Sequence, residues 1–116
     1  MEITHKRMNR ADLLVVSGRL DAMHAPALKA KIEELFTEGR YRIVLDFSSL
    51  EYVASPGLRI LIEARKKARD WKLTDLEGGD VRLAALPSRI REVFDLTGFT
   101  KLFDIYPDAT EAVGSF

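Results

Sequence analysis

The stretch from Arg42 to Ala64 does most to limit what this chain can fold into. An almost wholly apolar strand, a short polar loop and the start of a helix follow one another there, and a strand that is apolar on both sides is typical of the middle of an α/β sheet. Ser55 stands directly before Pro56, and proline suits the first turn of a helix because its φ is fixed and its missing N–H has no partner there. The pattern predicts Ser55 as the N-cap of a helix, and it makes this loop the first candidate site.

Strands and helices alternate along the rest of the chain. An N-terminal hairpin is predicted from Glu2–Thr4 and Leu13–Val16, and an amphipathic helix is predicted over Ala25–Glu38. The later predicted elements are a helix from Ser55 towards Trp71, a polar surface connection over Lys72–Asp80, a strand over Val81–Leu86, a helix capped near Ser88 and ended by Gly98, a strand over Leu102–Tyr106 and a short helix opened by Asp108 with Glu111. This order predicts the α/β class: a mixed, mostly parallel sheet of about four to five strands with about four helices.

Composition and charge exclude several classes of function. The 116 residues, 47% of them hydrophobic, predict one domain over residues 1–116. The 18 basic residues balance the 18 acidic ones, so we expect no binding to nucleic acid. The chain has no cysteine, and His5 and His24 are too far apart to suggest a ligand pair, so we expect no metal and no cofactor. The first residues lack the apolar core of a secretory signal and no apolar run is long enough for a membrane span, which predicts a cytoplasmic protein without membrane insertion.

The sequence also lacks the motifs of common catalytic sites. It has no nucleophile–base pair, no Gly-x-Gly-x-x-Gly fingerprint and no Walker lysine. Asp46 follows a strand without a histidine or second carboxylate paired with it, so we expect it to order the next loop through backbone N–H groups. Basic residues between Arg59 and Arg69 alternate with acids, as on a solvated helix face. We therefore expect no enzyme and no catalytic residue.

Several short blocks of the sequence stand in an order that resembles a known family. They are Gly18–Asp21, Ile43–Asp46, Tyr52–Arg59, Gly78–Asp80 and Arg91–Gly98. Together these blocks resemble the STAS domain family, which is named for sulfate transporters and anti-sigma-factor antagonists, over nearly the whole chain. The resemblance implies a non-enzymatic switch: an unphosphorylated member binds a serine kinase that is also an anti-sigma factor, and phosphorylation of a loop serine or threonine releases that kinase.

The resemblance also implies a site around Ser55. The family pattern there is Asp-Ser-Ser-Gly or Asp-Ser-Thr-Gly with the phosphate acceptor directly before the glycine, whereas this chain has Ala54, Ser55, Pro56 and Gly57. Because Pro56 has no hydroxyl, either Ser55 has taken over as the phosphorylation site, or the domain is a binding module that phosphorylation does not control. The expected partner-binding residues are Asp21, Tyr52, Val53, Ser55, Pro56, Gly57 and Leu58.

Each of these residues also has a purely structural interpretation. Ser55 would cap a helix whether or not it is phosphorylated, and Asp21 would cap a turn or helix after a strand. Gly57 would allow a strand and a helix to approach closely. Tyr52 and Val53 would be partner contacts if exposed and core residues if buried. The two interpretations are not exclusive for Ser55, and burial decides between them for Tyr52 and Val53.

The sequence thus predicts an anti-sigma-factor antagonist-like regulator of transcription. It would act in a partner-switching pathway by binding a serine-kinase anti-sigma factor, as a monomer or weak homodimer, with phosphorylation of Ser55 as the implied control. The alternative is a STAS subunit or scaffold of a transporter or sensory complex that is not phosphorylated. Pro56 at the family's acceptor position is the residue that keeps this alternative open.

Overall fold

The computed structural model describes residues 1–70 and 78–116. Strands and helices alternate over these ranges, as the sequence predicts. The strands are β1 (Glu2–Arg7), β2 (Asp12–Leu20), β3 (Arg42–Asp46), β4 (Leu50–Val53), β5 (Asp80–Ala84) and β6 (Ile105–Tyr106), and the helices are α1 (Ala25–Thr37), α2 (Ser55–Asp70), α3 (Ser88–Thr97) and α4 (Ala109–Gly114), with a 3₁₀ turn at Phe99–Lys101. Trp71 and the part of the predicted surface connection over residues 72–77 lie outside the described residues.

The sheet is mixed and mostly parallel, which confirms the predicted α/β class. Its strand order is β1-β2-β3-β5-β6, and β1 is antiparallel to β2 while the pairs that follow are parallel. The predicted N-terminal hairpin is therefore confirmed. The strand β3 lies in the middle of this order with Ile43, Val44 and Leu45 fully buried, as its apolar sequence predicts.

The sequence does not predict the strand β4. With it, the sheet has six strands within the described residues, whereas the sequence predicts about four to five. The sequence pattern predicts only a short polar loop between β3 and α2, but Leu50–Val53 pair with the last residues of β2. The register of β2 shifts between Gly18 and Arg19, and Gly18 has a φ of 86°, a left-handed conformation that glycine adopts without steric cost. This bulge turns the end of β2 away from β3 and towards β4.

Helices cover both faces of the sheet. Neighbouring side chains of β2 point to opposite faces, so Leu14 packs in the main core under α1, α2 and α3, whereas Leu13 packs in a second, smaller core with Val44, Ala84 and Ala112 of α4. None of the helices in the described part of the chain is both long enough and apolar enough to cross a membrane. The loops that follow β2, β4 and β5 lie at the carboxyl ends of parallel strands, where α/β sheets commonly carry their sites.

Some element ends differ from the sequence prediction. The cap of α3 agrees with the prediction near Ser88: the N-cap is Pro87, whose carbonyl accepts the Arg91 N–H at 2.8 Å, and Ser88 is the first helical residue. The last strand is shorter than Leu102–Tyr106 because Leu102 bonds back to Phe99 in the 3₁₀ turn. The predicted cap at Asp108 is confirmed: its carboxylate accepts the Glu111 N–H at 2.8 Å.

Candidate functional site

The start of α2 is anchored to the end of β2. Ala54 donates its N–H to the Leu20 carbonyl at 3.0 Å, and its own carbonyl accepts the N–H groups of Gly57 and Leu58 at 2.9 and 3.1 Å. Ala54 is therefore the N-cap and Ser55 the first helical residue. The predicted N-cap at Ser55 is wrong by one position, because the bond between β4 and β2 fixes the chain at Ala54 and the helix begins directly after it.

Ser55 points outward at the mouth of α2. The residue is exposed, and its hydroxyl makes no hydrogen bond with any residue in the ranges 1–70 and 78–116. Pro56 occupies the second helical position, where the absence of an N–H costs nothing, and it is half-buried. The site thus presents a free hydroxyl at the positive end of a helix dipole, which is the accessible placement that the sequence predicts.

The structure buries three of the predicted partner-binding residues. Val53 and Leu58 are each 5% exposed and belong to the main core. Gly57 lies against β2 so closely that an added Cβ would stand 2.6 Å from Leu20 Cγ and 2.8 Å from the Leu20 carbonyl oxygen. The close-approach interpretation of Gly57 is confirmed. These three residues position α2 on β2, and the side chains of Val53 and Leu58 do not reach the surface.

Tyr52 lies on the surface beside Ser55. Its side chain is 42% exposed, and the Arg19 guanidinium stands over its ring at 4.2 Å from the centroid. Arg19 and Tyr52 are paired across β2 and β4, so the sheet itself holds the two side chains together. Of the two residues whose role depended on burial, Tyr52 is available to a partner and Val53 is core.

Asp21 lies next to this surface and shapes the loop before α1. Its carboxylate accepts the His24 N–H at 3.2 Å and lies 2.8 Å from His24 Nδ1 and 3.7 Å from Arg19 Nε. Partial desolvation would raise the pKa of Asp21, but the hydrogen bonds from His24 and the nearby charges of His24 and Arg19 outweigh it and hold this pKa below its ordinary value. Asp21 is therefore ionised at neutral pH and stabilises the turn, as its structural interpretation predicts.

The neighbouring loops add one exposed residue that the sequence analysis missed and confirm the role of another. Met23 is 81% exposed in the loop between Asp21 and α1, and an exposed methionine in a loop leaves no periodic signal. Asp46 accepts the Ser48 N–H at 2.8 Å, which confirms its predicted role in ordering the loop after β3. The described residues contain no group of three or more His, Cys, Asp or Glu side chains placed to hold a metal ion.

Comparison with protein families identifies the domain. A family model described as "Mlab, STAS domain" matches residues 3–105. The chain belongs to the STAS domain family. A STAS domain over this range accounts for the order of the sequence blocks and for the position of the loop that carries Ser55.

Individual relatives of this STAS chain cover most of its length. BtrV of Bordetella bronchiseptica is 27% identical over 116 residues, which are 100% of this chain and 95% of that protein. The anti-sigma-B factor antagonist of Bacillus subtilis is 30% identical over 101 residues, 85% of each chain. The crystal structure of an anti-sigma factor antagonist from Mycobacterium paratuberculosis superposes with a TM-score of 0.82 and 26% identity, and covers 98% of this chain and 92% of that one.

Proposed function

We propose that this STAS chain is an anti-sigma-factor antagonist that binds a serine-kinase anti-sigma factor and is released when Ser55 is phosphorylated. The observation that carries this proposal is the exposed, unbonded Ser55 hydroxyl at the first residue of α2. Similarity over 85% of the chain to the anti-sigma-B factor antagonist of Bacillus subtilis supports the same role. The protein would act in the cytoplasm as a regulator without catalysis of its own, as one STAS domain over residues 1–116 and as a monomer or weak homodimer.

The proposed contact surface consists of the exposed residues around Ser55. Tyr52 supplies a large side chain that the Arg19 guanidinium holds in place, and Pro56 supplies a rigid apolar edge. Asp21 contributes a fixed negative charge beside them. Val53, Gly57 and Leu58 support this surface from beneath, because they fix the start of α2 against β2.

Phosphorylation of Ser55 would change this surface through charge. A phosphate adds about −1.5 to −2 charges, and at the start of a helix the dipole stabilises it within the domain. The same charge would disrupt a packed contact, because a partner pressed against Ser55 would have to desolvate the phosphate. The fold would therefore tolerate the modification while the complex would not.

An intact-mass measurement tests the acceptor. The chain is incubated with ATP and a purified serine-kinase anti-sigma factor from the same genome, and we expect the gain of one phosphate. The Ser55→Ala variant should gain none, although it keeps Ser48, Ser49 and Ser88 among its other serines. Phosphate transfer to Ser55→Ala, or none to the wild-type chain, would contradict phosphorylation at Ser55.

A binding measurement tests the switch. We expect calorimetry to show that Ser55→Glu binds the same kinase at least about tenfold more weakly than the wild-type chain, because a carboxylate places negative charge in the contact. Ser88→Glu, at the first residue of α3, is the matched control for a negative charge at a helix start and should bind as the wild type does. Equal affinities for Ser55→Glu and the wild type would refute control by this loop.

Pro56 favours a second candidate function. A chain with proline where the family carries its acceptor is suited to constant binding, as a subunit or scaffold of a transporter or sensory complex. Co-purification with a transporter ATPase, together with no phosphate uptake from any kinase of the genome, would support this function. In that case the chain would gain no phosphate from the kinase in the intact-mass measurement, and calorimetry would show no effect of Ser55→Glu on binding to the kinase.

A further inference from the structure

A groove between α1 and α2 leads away from the Ser55 surface. The two helices lie side by side on the same face of the sheet, and Pro56 and Ala22 line the end of the groove nearest Ser55. The floor of the groove is apolar along its length. It is formed by Ile32, Phe36, Ile60 and Ala64. The apolar groove is therefore continuous with the surface that the proposed function assigns to the partner.

Charged residues line both rims of this groove in bands. On α1 the rim residues are Lys29 and Glu33, and on α2 they are Arg59, Glu63 and Lys67. Neighbours along each rim are four residues apart, which is one helical turn. The order from the Ser55 end is therefore basic, acidic and then basic on α2, and basic and then acidic on α1.

These rim charges form no close ion pair within the described part of the chain. Lys29, Glu33, Arg59 and Glu63 make no ion pair with any residue in the two described ranges, and the Lys67 ammonium lies 5.7 Å from the Phe36 ring centroid. Lys29 and Arg59 both line the end of the groove nearest Ser55. Glu33 and Glu63 both line the adjoining part. Such a pattern leaves alternating bands of charge for a partner to complement.

We propose that the anti-sigma factor lays an amphipathic helix along this groove, and this inference rests on the proposed function. The apolar face of that helix would cover Ile60 and the floor around it. An acidic side chain would meet Lys29 and Arg59, and a basic side chain one turn further along would meet Glu33 and Glu63. A partner helix matches the bands in register, because side chains four residues apart on any α-helix are separated by about 6 Å along its axis.

This placement also links the groove to the switch. Arg59 lies four residues after Ser55 on α2, and side chains at that spacing are neighbours on a helix surface. A phosphate on Ser55 would therefore compete with the partner's acidic side chain for Arg59. Phosphorylation would weaken the complex at the groove as well as at Ser55 itself.

Charge inversion along α1 tests the band order without changing net charge. The double variant Lys29→Glu with Glu33→Lys reverses the two bands, and it leaves the acid four residues before the base, the favourable orientation for helix stability. We expect its affinity for the purified serine-kinase anti-sigma factor to fall at least about tenfold. The matched control is Arg91→Asp with Asp95→Arg, which inverts an exposed pair on α3 and should keep wild-type affinity.

The outcomes separate this inference from the proposed function. If Ser55→Glu abolishes binding but the α1 inversion leaves the affinity unchanged, the groove inference is overturned and the proposed function stands. No binding by the wild-type chain would overturn both. A change only in self-association, measured by light scattering of the chain alone, would make the groove a contact between two copies and would also overturn the inference. Circular dichroism and the thermal midpoint of each variant exclude loss of fold as the cause.

Discussion

At the scale of single residues, Gly57 sets how closely α2 approaches β2. Replacing it with alanine would place a Cβ 2.6 Å from Leu20 Cγ and 2.8 Å from the Leu20 carbonyl oxygen, and a backbone atom cannot turn aside as a side chain can. We expect Gly57→Ala to lower the free energy of unfolding by about 1–3 kcal/mol. Urea denaturation measures the change. Gly78→Ala is the control, because a Cβ there meets no atom of residues 1–70 or 78–116 within 4 Å; equal losses in the two variants would contradict a steric origin.

The local sequence predicts the conformation at some positions and not at others. Pro56 after Ser55 is enough to predict an exposed hydroxyl at a helix start, because proline restricts the backbone locally. The shift of the N-cap to Ala54 depends on a hydrogen bond to Leu20, far away in sequence, and no local pattern contains that bond. Ala85 adopts a φ of 56°, a conformation that favours glycine or asparagine, so its sequence gives no sign of it.

At the scale of elements, Asp12 ties the start of β2 to its neighbours. Its carboxylate is 1% exposed and lies 2.6 Å from Arg40 Nε, before β3, and 2.7 Å from His5 Nε2 on β1. We expect Asp12→Asn to lower the free energy of unfolding by about 3 kcal/mol, because breaking a buried ion pair leaves its partner uncompensated. Thermal and urea denaturation would measure this loss.

The surface pair between Arg7 and Glu38 gives the matched control for Asp12. Arg7 donates to the Glu38 carboxylate at 2.9 Å, but both side chains are about half exposed. Solvent screens such a pair, so Glu38→Gln should change the free energy of unfolding by less than about 1 kcal/mol. A loss as large as that of Asp12→Asn would show that burial does not decide the strength of these contacts.

The elements differ in how much their own sequence determines them. α1 ends where its apolar spacing and Gly39 predict, because periodicity and a glycine with a φ of 80° act within a few residues. β4 is different: Glu51 and Tyr52 are exposed between buried Leu50 and Val53, so no alternation marks a strand. Its pairing depends on the bulge in β2, which only the folded sheet brings next to it.

At the scale of the whole molecule, the two faces of the sheet are covered unequally. Three helices cover the main core, whereas the second core packs under α4 alone within the described residues. The alternation of strands and helices predicts a sheet covered on both sides but not this division. The division follows from burial: Leu13, Val44 and Ala84 all face α4, and Ala112 is fully buried against them.

Removal of α4 should therefore affect the whole fold. A chain without residues 108–116 would expose Leu13 and Val44 and would lose the stacking of Arg82 over the Phe116 ring at 4.0 Å. We expect the free energy of unfolding to fall by at least about 3 kcal/mol, which is the contribution of burying one or two apolar side chains. We also expect the shortened chain to bind a hydrophobic dye. Asp108→Ala removes only the cap of α4 and should cost roughly 1 kcal/mol without dye binding. If the shortened chain kept the wild-type thermal midpoint, the second core would not stabilise the sheet, and the main core alone would hold β2, β3 and β5 together.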